Sequence, residues 1–238
     1  NLTHKYDGKK FNLTVPMKDH TDAMNHVLAA LTDAEHGVIG SIDEIDAVGH
    51  RVVHGGEKFT ASCLITEEVT DAIKELIPLG PLHNPANLQG IDACKAIMPN
   101  VPMVAVFDTA FHQTMPKEAY MYGLSYDMYE QYGIRRYGAH GTSHRYVAGE
   151  MAKILGKPVE ETKIVTCHIG NGSSISAVKD GKVMDTSMGF TPLAGVEMGT
   201  RCGDIDPAIV TYIMDKEGLT AAQMDDLMNK KSGFLGIS

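Results

Sequence analysis

The chain has 238 residues, 43% of them hydrophobic and 21% charged, the balance of an ordinary globular protein with one large domain or two small ones. A formal charge of -9 argues against nucleic acid as a partner, because a polyanion needs a basic face, yet it leaves room for a small anion held by local arginines. No apolar run approaches the roughly 20 residues of a membrane span and no signal peptide is visible, while Cys63, Cys94, Cys167 and Cys202 lack CxxC spacing and read as reduced thiols of a cytoplasmic protein.

In chain order, residues 17–36 carry Met24, Val27, Leu28 and Leu31 on one helical stripe that Gly37 ends. Ile45 to Val53 reads as a buried strand running into His54-Gly55-Gly56. Thr66 is placed to cap a helix whose first turn holds Glu67 and Glu68, and Asn84-Pro85 starts another with Leu88, Ile91 and Ile97 inward. Val101 to Phe107 is a short strand that delivers Asp108 at its end. Strand and helix in this alternation predict a parallel sheet with helices on its faces. The second half adds a helix from His144 to Leu155 capped by Ser143, then strands Lys163–Ile169, Ser173–Val178 and Lys182–Ser187 with a tight turn at Asp180-Gly181. Asp206-Pro207 and the Thr220-x-x-Gln223 capping box open two further helices. The domain boundary is expected near residue 110, giving domains 1–109 and 110–238.

Five stretches fit neither helical nor strand periodicity and are dense in Gly and His: HRVVHGG from His50, GPLHNP from Gly80, VFDTAFHQTMP from Val106, RRYGAHGTSH from Arg135 and GTRCGDIDP from Gly199. Glycine and polar punctuation let backbone approach a ligand. Arg51 and Arg201 offer planar guanidinium forks that match carboxylate or phosphate, or else structural ion pairs, for Arg201 with Asp204. His83 and His140 are loop histidines, either donors to a phosphoryl oxygen or simple turn residues. Asp108 sits where open α/β sheets present ligand-binding groups, to hold a metal-bound water, orient an acceptor or move a proton; the alternative is a cap on the next turn. His168-Ile169-Gly170-Asn171-Gly172 is a hairpin turn whose glycines suit a phosphate, although it is no Walker loop. His50/His54 and His140/His144 share the i, i+4 spacing of zinc pairs, but glycine and strand ends interrupt both.

Together these segments resemble the acetate kinase family: HRVVHGG, PLHNP, FDTAFHQTMP, RRYGAHGTSH, HIGNGSS and GTRCGDIDP occur in that family's order and approximate spacing across essentially the whole chain. The resemblance implies an α/β fold of two actin-like, sugar-kinase-like (ribonuclease-H-like) domains with nucleotide in the cleft between them. It implies reversible phosphoryl transfer from ATP to acetate, with ATP/ADP and Mg²⁺ as cofactors and a homodimer as the assembly. On it, Arg51 meets the acetate carboxylate, Arg201 lies across the phosphoryl group, and His140 and His83 donate to phosphoryl oxygens. Asp108 matches the active-site aspartate, His168 to Gly172 the nucleotide phosphate loop, and Val53, Leu82 and Pro192 the pocket for the acetate methyl. Ala139, where some relatives carry Phe, leaves one pocket wall more open. The family pattern also includes a strand and Gly/Ser-rich loop before Asn1, and a late glutamate linked to magnesium beyond Ser238. The chain thus reads as the middle of an acetate kinase, with its metal ligands unknown. Propionate or another short-chain acylate kinase, a silent association module and a metal-dependent hydrolase are the alternatives.

Overall fold

The computed structural model describes residues 1–81 and 83–238. It divides into two compact units, one of Asn1–Val52 and Ser62–Val106, the other of Val53–Ala61 and Phe107–Ser238.

The first unit opens with a hairpin that the periodicity reading missed. Strands β1 (Leu2–Tyr6) and β2 (Lys9–Leu13) pair antiparallel, Leu2 opposite Leu13. Asp7 and Gly8 turn between them with φ of 45° and 73°, the paired positive angles for which Asp-Gly is a strong short-range signal. Helix α1 (His20–Leu31) is capped by the Asp19 carboxylate, which accepts from Asp22 N–H. It ends at Leu31, short of the 17–36 span, where Asp33 accepts the N–H groups of Glu35 and His36 and offers the backbone a turn in place of another helical turn.

Strands β3 (Val48–Val52), β4 (Cys63–Leu64) and β5 (Met103–Phe107) form a sheet in the order β3-β5-β4. Two expectations are corrected here. The first strand begins at Val48 and alternates in exposure, so only its end, at Val52, is buried. β4 also runs antiparallel to β5, Cys63 opposite Ala105, so the sheet is not wholly parallel. Helix α2 (Glu67–Glu75) is capped by Thr66 as predicted. Helix α3 (Asn84–Ile97) starts one residue early, with His83 at the cap position; Asn84 is buried instead and donates from Nδ2 to the Ile73 carbonyl. Leu28, Cys94, Met98 and Met103 are the core of this unit.

In the second unit a 3₁₀ turn (Phe111–Thr114) and two short helices, α4 (Lys117–Tyr120) and α5 (Tyr126–Tyr132), lead to helix α6 (Gly141–Ile154). Strands β6 (Lys163–Ile169), β7 (Ser173–Lys179) and β8 (Lys182–Thr186) follow as an antiparallel meander, with Asp180 and Gly181 both at positive φ in the second turn. Helices α7 (Pro207–Glu217), α8 (Ala221–Lys230) and α9 (Gly233–Ile237) complete it, the first two with the predicted Asp206 cap and Thr220/Gln223 capping box. Buried Met115, Val178 and Val183 cluster with Ala148 of α6, and Ala139, Met188 and Met198 form a second cluster.

The start of α6 departs from the sequence reading. Its cap residue is His140, in the left-handed region (φ 61°, ψ 22°), and Ser143 lies inside the helix. The cap comes from the end of β5: Asp108 Oδ2 accepts from His140 N–H at 2.8 Å, and the Asp108 carbonyl accepts from Gly141 N–H at 2.8 Å. A carboxylate there also meets the positive end of the helix dipole. This close approach excludes a side chain at Gly141, since a Cβ would lie 2.3 Å from the Asp108 carbonyl oxygen. Gly149, in the middle of the same helix, has open space around it. Gly141→Ala is therefore expected to destabilise the protein by about 1–3 kcal/mol, and Gly149→Ala to stabilise it by about 0.5–1 kcal/mol. Urea midpoints of the two variants check this; a Gly141→Ala protein as stable as the parent would contradict the packing described.

Candidate active site

Two groups of polar side chains gather at one end of the β6–β7 hairpin in the second unit. The first is built on imidazoles. His140 stacks on His168 with ring centroids 3.9 Å apart and planes 20° from parallel. His140 Nδ1 lies 2.8 Å from Ser174 Oγ, and the same hydroxyl lies 2.7 Å from His144 Nε2. His144 Nδ1 is 2.7 Å from Thr166 Oγ1, while His168 Nδ1 is 2.9 Å from Ser143 Oγ. Behind these, His112 Nε2 is 3.1 Å from Ser176 Oγ, which is 2.8 Å from Thr186 Oγ1. Strand positions that would ordinarily carry apolar side chains thus carry buried hydroxyls: Thr166, Ser174, Ser176 and Thr186.

The second group is cationic. The Arg201 guanidinium lies against Gly172, so close that a Cβ on Gly172 would be 3.0 Å from Arg201 Nη2. Arg201 Nη1 donates to the Pro192 carbonyl at 2.7 Å. Asp204 accepts from Gly195 N–H instead of pairing with Arg201. The arginine loop is tied to the hairpin turn by Gly199 N–H donating to the Asn171 carbonyl, and a Cβ on Gly199 would collide with Asn171 Oδ1 at 2.3 Å. From behind, Cys202 N–H donates to the Met228 carbonyl and Phe234 N–H to that of Met198, so α8 and α9 fix the loop's position. Within the turn, Gly170 N–H closes on the Gly172 carbonyl at 3.1 Å. Ile169, Gly170 and Asn171 are exposed.

Burial sets the protonation of this interior. It lowers His112 to about 3, with His144 adding to the effect, and His144 to about 4, with His168 adding. It also lowers His54 to about 4; that ring accepts from Gly56 N–H at Nδ1 and meets the Tyr137 ring edge-on at 4.5 Å. Burial lowers the Arg201 value too, though a guanidinium stays protonated. These three imidazoles are neutral near pH 7. Arg135, in contrast, is structural: its buried guanidinium pairs with Glu57 and lies 3.6 Å over the Tyr120 ring.

Of the residues predicted from sequence, Asp108, His140, His168, Asn171, Gly172, Pro192 and Arg201 gather around this hairpin end. Val53 is buried in the same unit. Arg51, exposed near the end of β3, and His83, at the cap of α3, belong to the first unit. Leu82 lies outside the described residues. Ala139 is buried against Met188 and Met198. Ser174, Thr166 and His112 were missed, and His144 was noted only for its spacing to His140. The available signal was the run of small hydroxyl residues on the inward face of β7. Among the described residues no group of three or more His, Cys, Asp or Glu is arranged to hold a metal ion. Asp108 contributes one carboxylate, already engaged with His140, so these residues do not by themselves make a magnesium site.

The site thus joins an arginine packed on a glycine turn to a pair of stacked imidazoles, within an α/β protein. The whole chain, residues 1–238, matches the model of the acetokinase family, and it belongs to that family. It is 61% identical to acetate kinase 2 of Clostridium perfringens over 100% of this chain and 60% of that protein. It is similar to the crystal structure of Porphyromonas gingivalis acetate kinase, with TM-score 0.92 and 53% identity over 99% of this chain and 59% of the other. A propionate kinase from Francisella tularensis is similar as well, with TM-score 0.86 and 48% identity over 91% of this chain and 55% of that one. The actin-like α/β class expected from sequence is thus the fold found, and the chain spans about 60% of the length of these relatives.

The depressed histidines make stability depend on pH. An unfolded chain binds protons at these positions below about pH 6.5, whereas the folded chain does so only near pH 3 to 4. Stability is therefore full above about pH 6.5 and lost as pH falls, each group contributing up to about 1.4 kcal/mol per pH unit. Urea midpoints are expected to drop from pH 7 to pH 5, and less so in His54→Gln. An unchanged midpoint over that range would be the contrary result.

Proposed function

We propose that the protein carrying this chain is an acetate kinase. A carboxylate oxygen of acetate attacks the γ-phosphorus of ATP in line, the bond to the β–γ bridging oxygen breaks, and acetyl phosphate and ADP result; the reverse direction regenerates ATP. The observation that carries the reading is the Arg201 guanidinium packed on Gly172 of the exposed turn, at the end of the hairpin that also holds the His140–His168 stack.

Phosphoryl transfer asks little covalent help of a protein; it needs in-line positioning and donors aimed at the equatorial oxygens. Arg201 and His140 are the donors in this reading, with His83 as a second imidazole. Likeness to the family's motifs assigns Arg51 to the acetate carboxylate and Val53, Leu82 and Pro192 to its methyl group. Asp108 acts on the site by holding the His140 backbone. His168 to Gly172 meet the nucleotide phosphates. Magnesium bound with ATP would offset charge on those phosphates, held mainly by them and by water. Four free thiols accord with a cytoplasmic setting, and no helix among the described residues is long and apolar enough to cross a membrane. A homodimer belongs to the same proposal.

A second reading, propionate kinase, is favoured by the likeness to the Francisella tularensis enzyme. Comparing kcat/KM for acetate and propionate separates the two, and acetate is expected to be the better substrate. Arg201→Ala is expected to fold and to lower kcat by about 10²–10³-fold, measured as acetyl phosphate formed from ATP by the whole protein. Turnover unchanged in a folded Arg201→Ala variant would overturn the assignment of Arg201.

A further inference from the structure

The buried hydroxyls beside His140 form a chain with a definite end. Thr166 Oγ1 lies 3.4 Å from the Ser176 carbonyl, and a carbonyl oxygen only accepts, so the threonine proton is directed there. Thr166 Oγ1 then accepts from His144, which places the proton of that neutral ring on Nδ1 and leaves Nε2 as an acceptor. Ser174 donates to His144 Nε2 and in turn accepts from His140 Nδ1.

We propose that Ser174, His144 and Thr166 are positioning residues that keep a proton on His140 Nδ1, so that Nε2 becomes a donor only when His140 is an imidazolium. The inference rests on the reading of His140 as a donor to a phosphoryl oxygen. An imidazolium must donate from both nitrogens. Only the polarity just described lets Nδ1 do so, because each following group passes its own proton along until the Ser176 carbonyl receives the last. The chain is thus arranged to accept a cationic His140 without moving a heavy atom, which is the preorganisation that transition-state stabilisation requires. The surroundings agree: the Asp108 carboxylate meets the His140 backbone N–H, and of the imidazoles around it, His112 and His144 are held neutral, while His168 is stacked on the ring. Reversed polarity would make His144 and neutral His140 Nε2–H tautomers and would leave the Ser176 carbonyl unused by Thr166.

Imidazole ¹⁵N NMR on the histidine-labelled whole protein reads the tautomers directly. The expected result is Nδ1–H for His144 and for neutral His140. In Thr166→Val, His144 should lose its Nδ1–H preference and kcat should fall about tenfold, while Thr166→Ser restores both. Nε2–H on His144 or neutral His140 in the unsubstituted protein overturns the proposal, whether or not the variants fold. A kcat unchanged in a folded Thr166→Val variant overturns it as well. The outcomes separate from those of the function: expected tautomers without acetyl phosphate formation would sink the kinase reading, and kinase activity with reversed tautomers would sink only this one.

Discussion

The hold of Asp108 on the turn at His140 and Gly141 is the constraint on which the rest of the site depends. One residue, at the end of a strand, receives two successive N–H groups at the start of α6, one on its carbonyl and one on its carboxylate. Left-handed backbone is unfavourable for a residue with a Cβ, and His140 adopts it only because these bonds and the missing side chain at Gly141 over-determine the turn. The conformation aims the imidazole toward Ser174 and His168. A carboxylate that would read as a catalytic group in isolation thus acts first through geometry, fixing the backbone that carries the His140 imidazole.

Buried hydroxyls make the second layer of this arrangement. Thr and Ser on the inward positions of β6, β7 and β8 cost apolar burial, and unsatisfied they would be expensive in a low-dielectric interior. Each instead has a partner in an imidazole, another hydroxyl or a strand carbonyl. Burial that keeps His144 and His112 neutral is part of the same design, because a charged ring behind His140 would oppose any positive charge on it. The polar interior is an electrostatic mount and adds little as packing.

Much of this could be read along the chain, and the parts that could not have identifiable physical causes. Strands β6 and β7, the Asp180-Gly181 turn and the caps at Thr66, Asp206 and Thr220 follow from local patterns, since each rests on neighbours within a few residues. The start of α6 does not. Ser143 has the chemistry of a cap, but the capping oxygen comes from Asp108, 32 residues earlier, and no local rule can weigh such a contact. Likewise Asn84 looks like a cap and is buried under α2 through the Ile73 carbonyl. The arginine and histidine candidates were visible because glycine-rich, aperiodic segments are rare inside a core. The relay behind them was hidden because serine and threonine in strands are ambiguous until the facing residues are known.

Glycine at 172 and 199 gives the last step. Both positions lie where a Cβ would press on a side chain of the site, Arg201 in one case and Asn171 in the other. These contacts leave no room for a layer of side chains between the arginine and the hairpin turn. The guanidinium sits directly on the turn backbone, and the Pro192 carbonyl fixes its Nη1 arm. Arginine suits this position because its planar fork keeps one edge on protein while offering the other, whereas a lysine ammonium is a single point of charge. Half-buried and tied at Nη1, Arg201 has little conformational freedom left in the folded protein. The entropy cost of ordering this side chain is thus met on folding, through the ties of α8 and α9 to its loop.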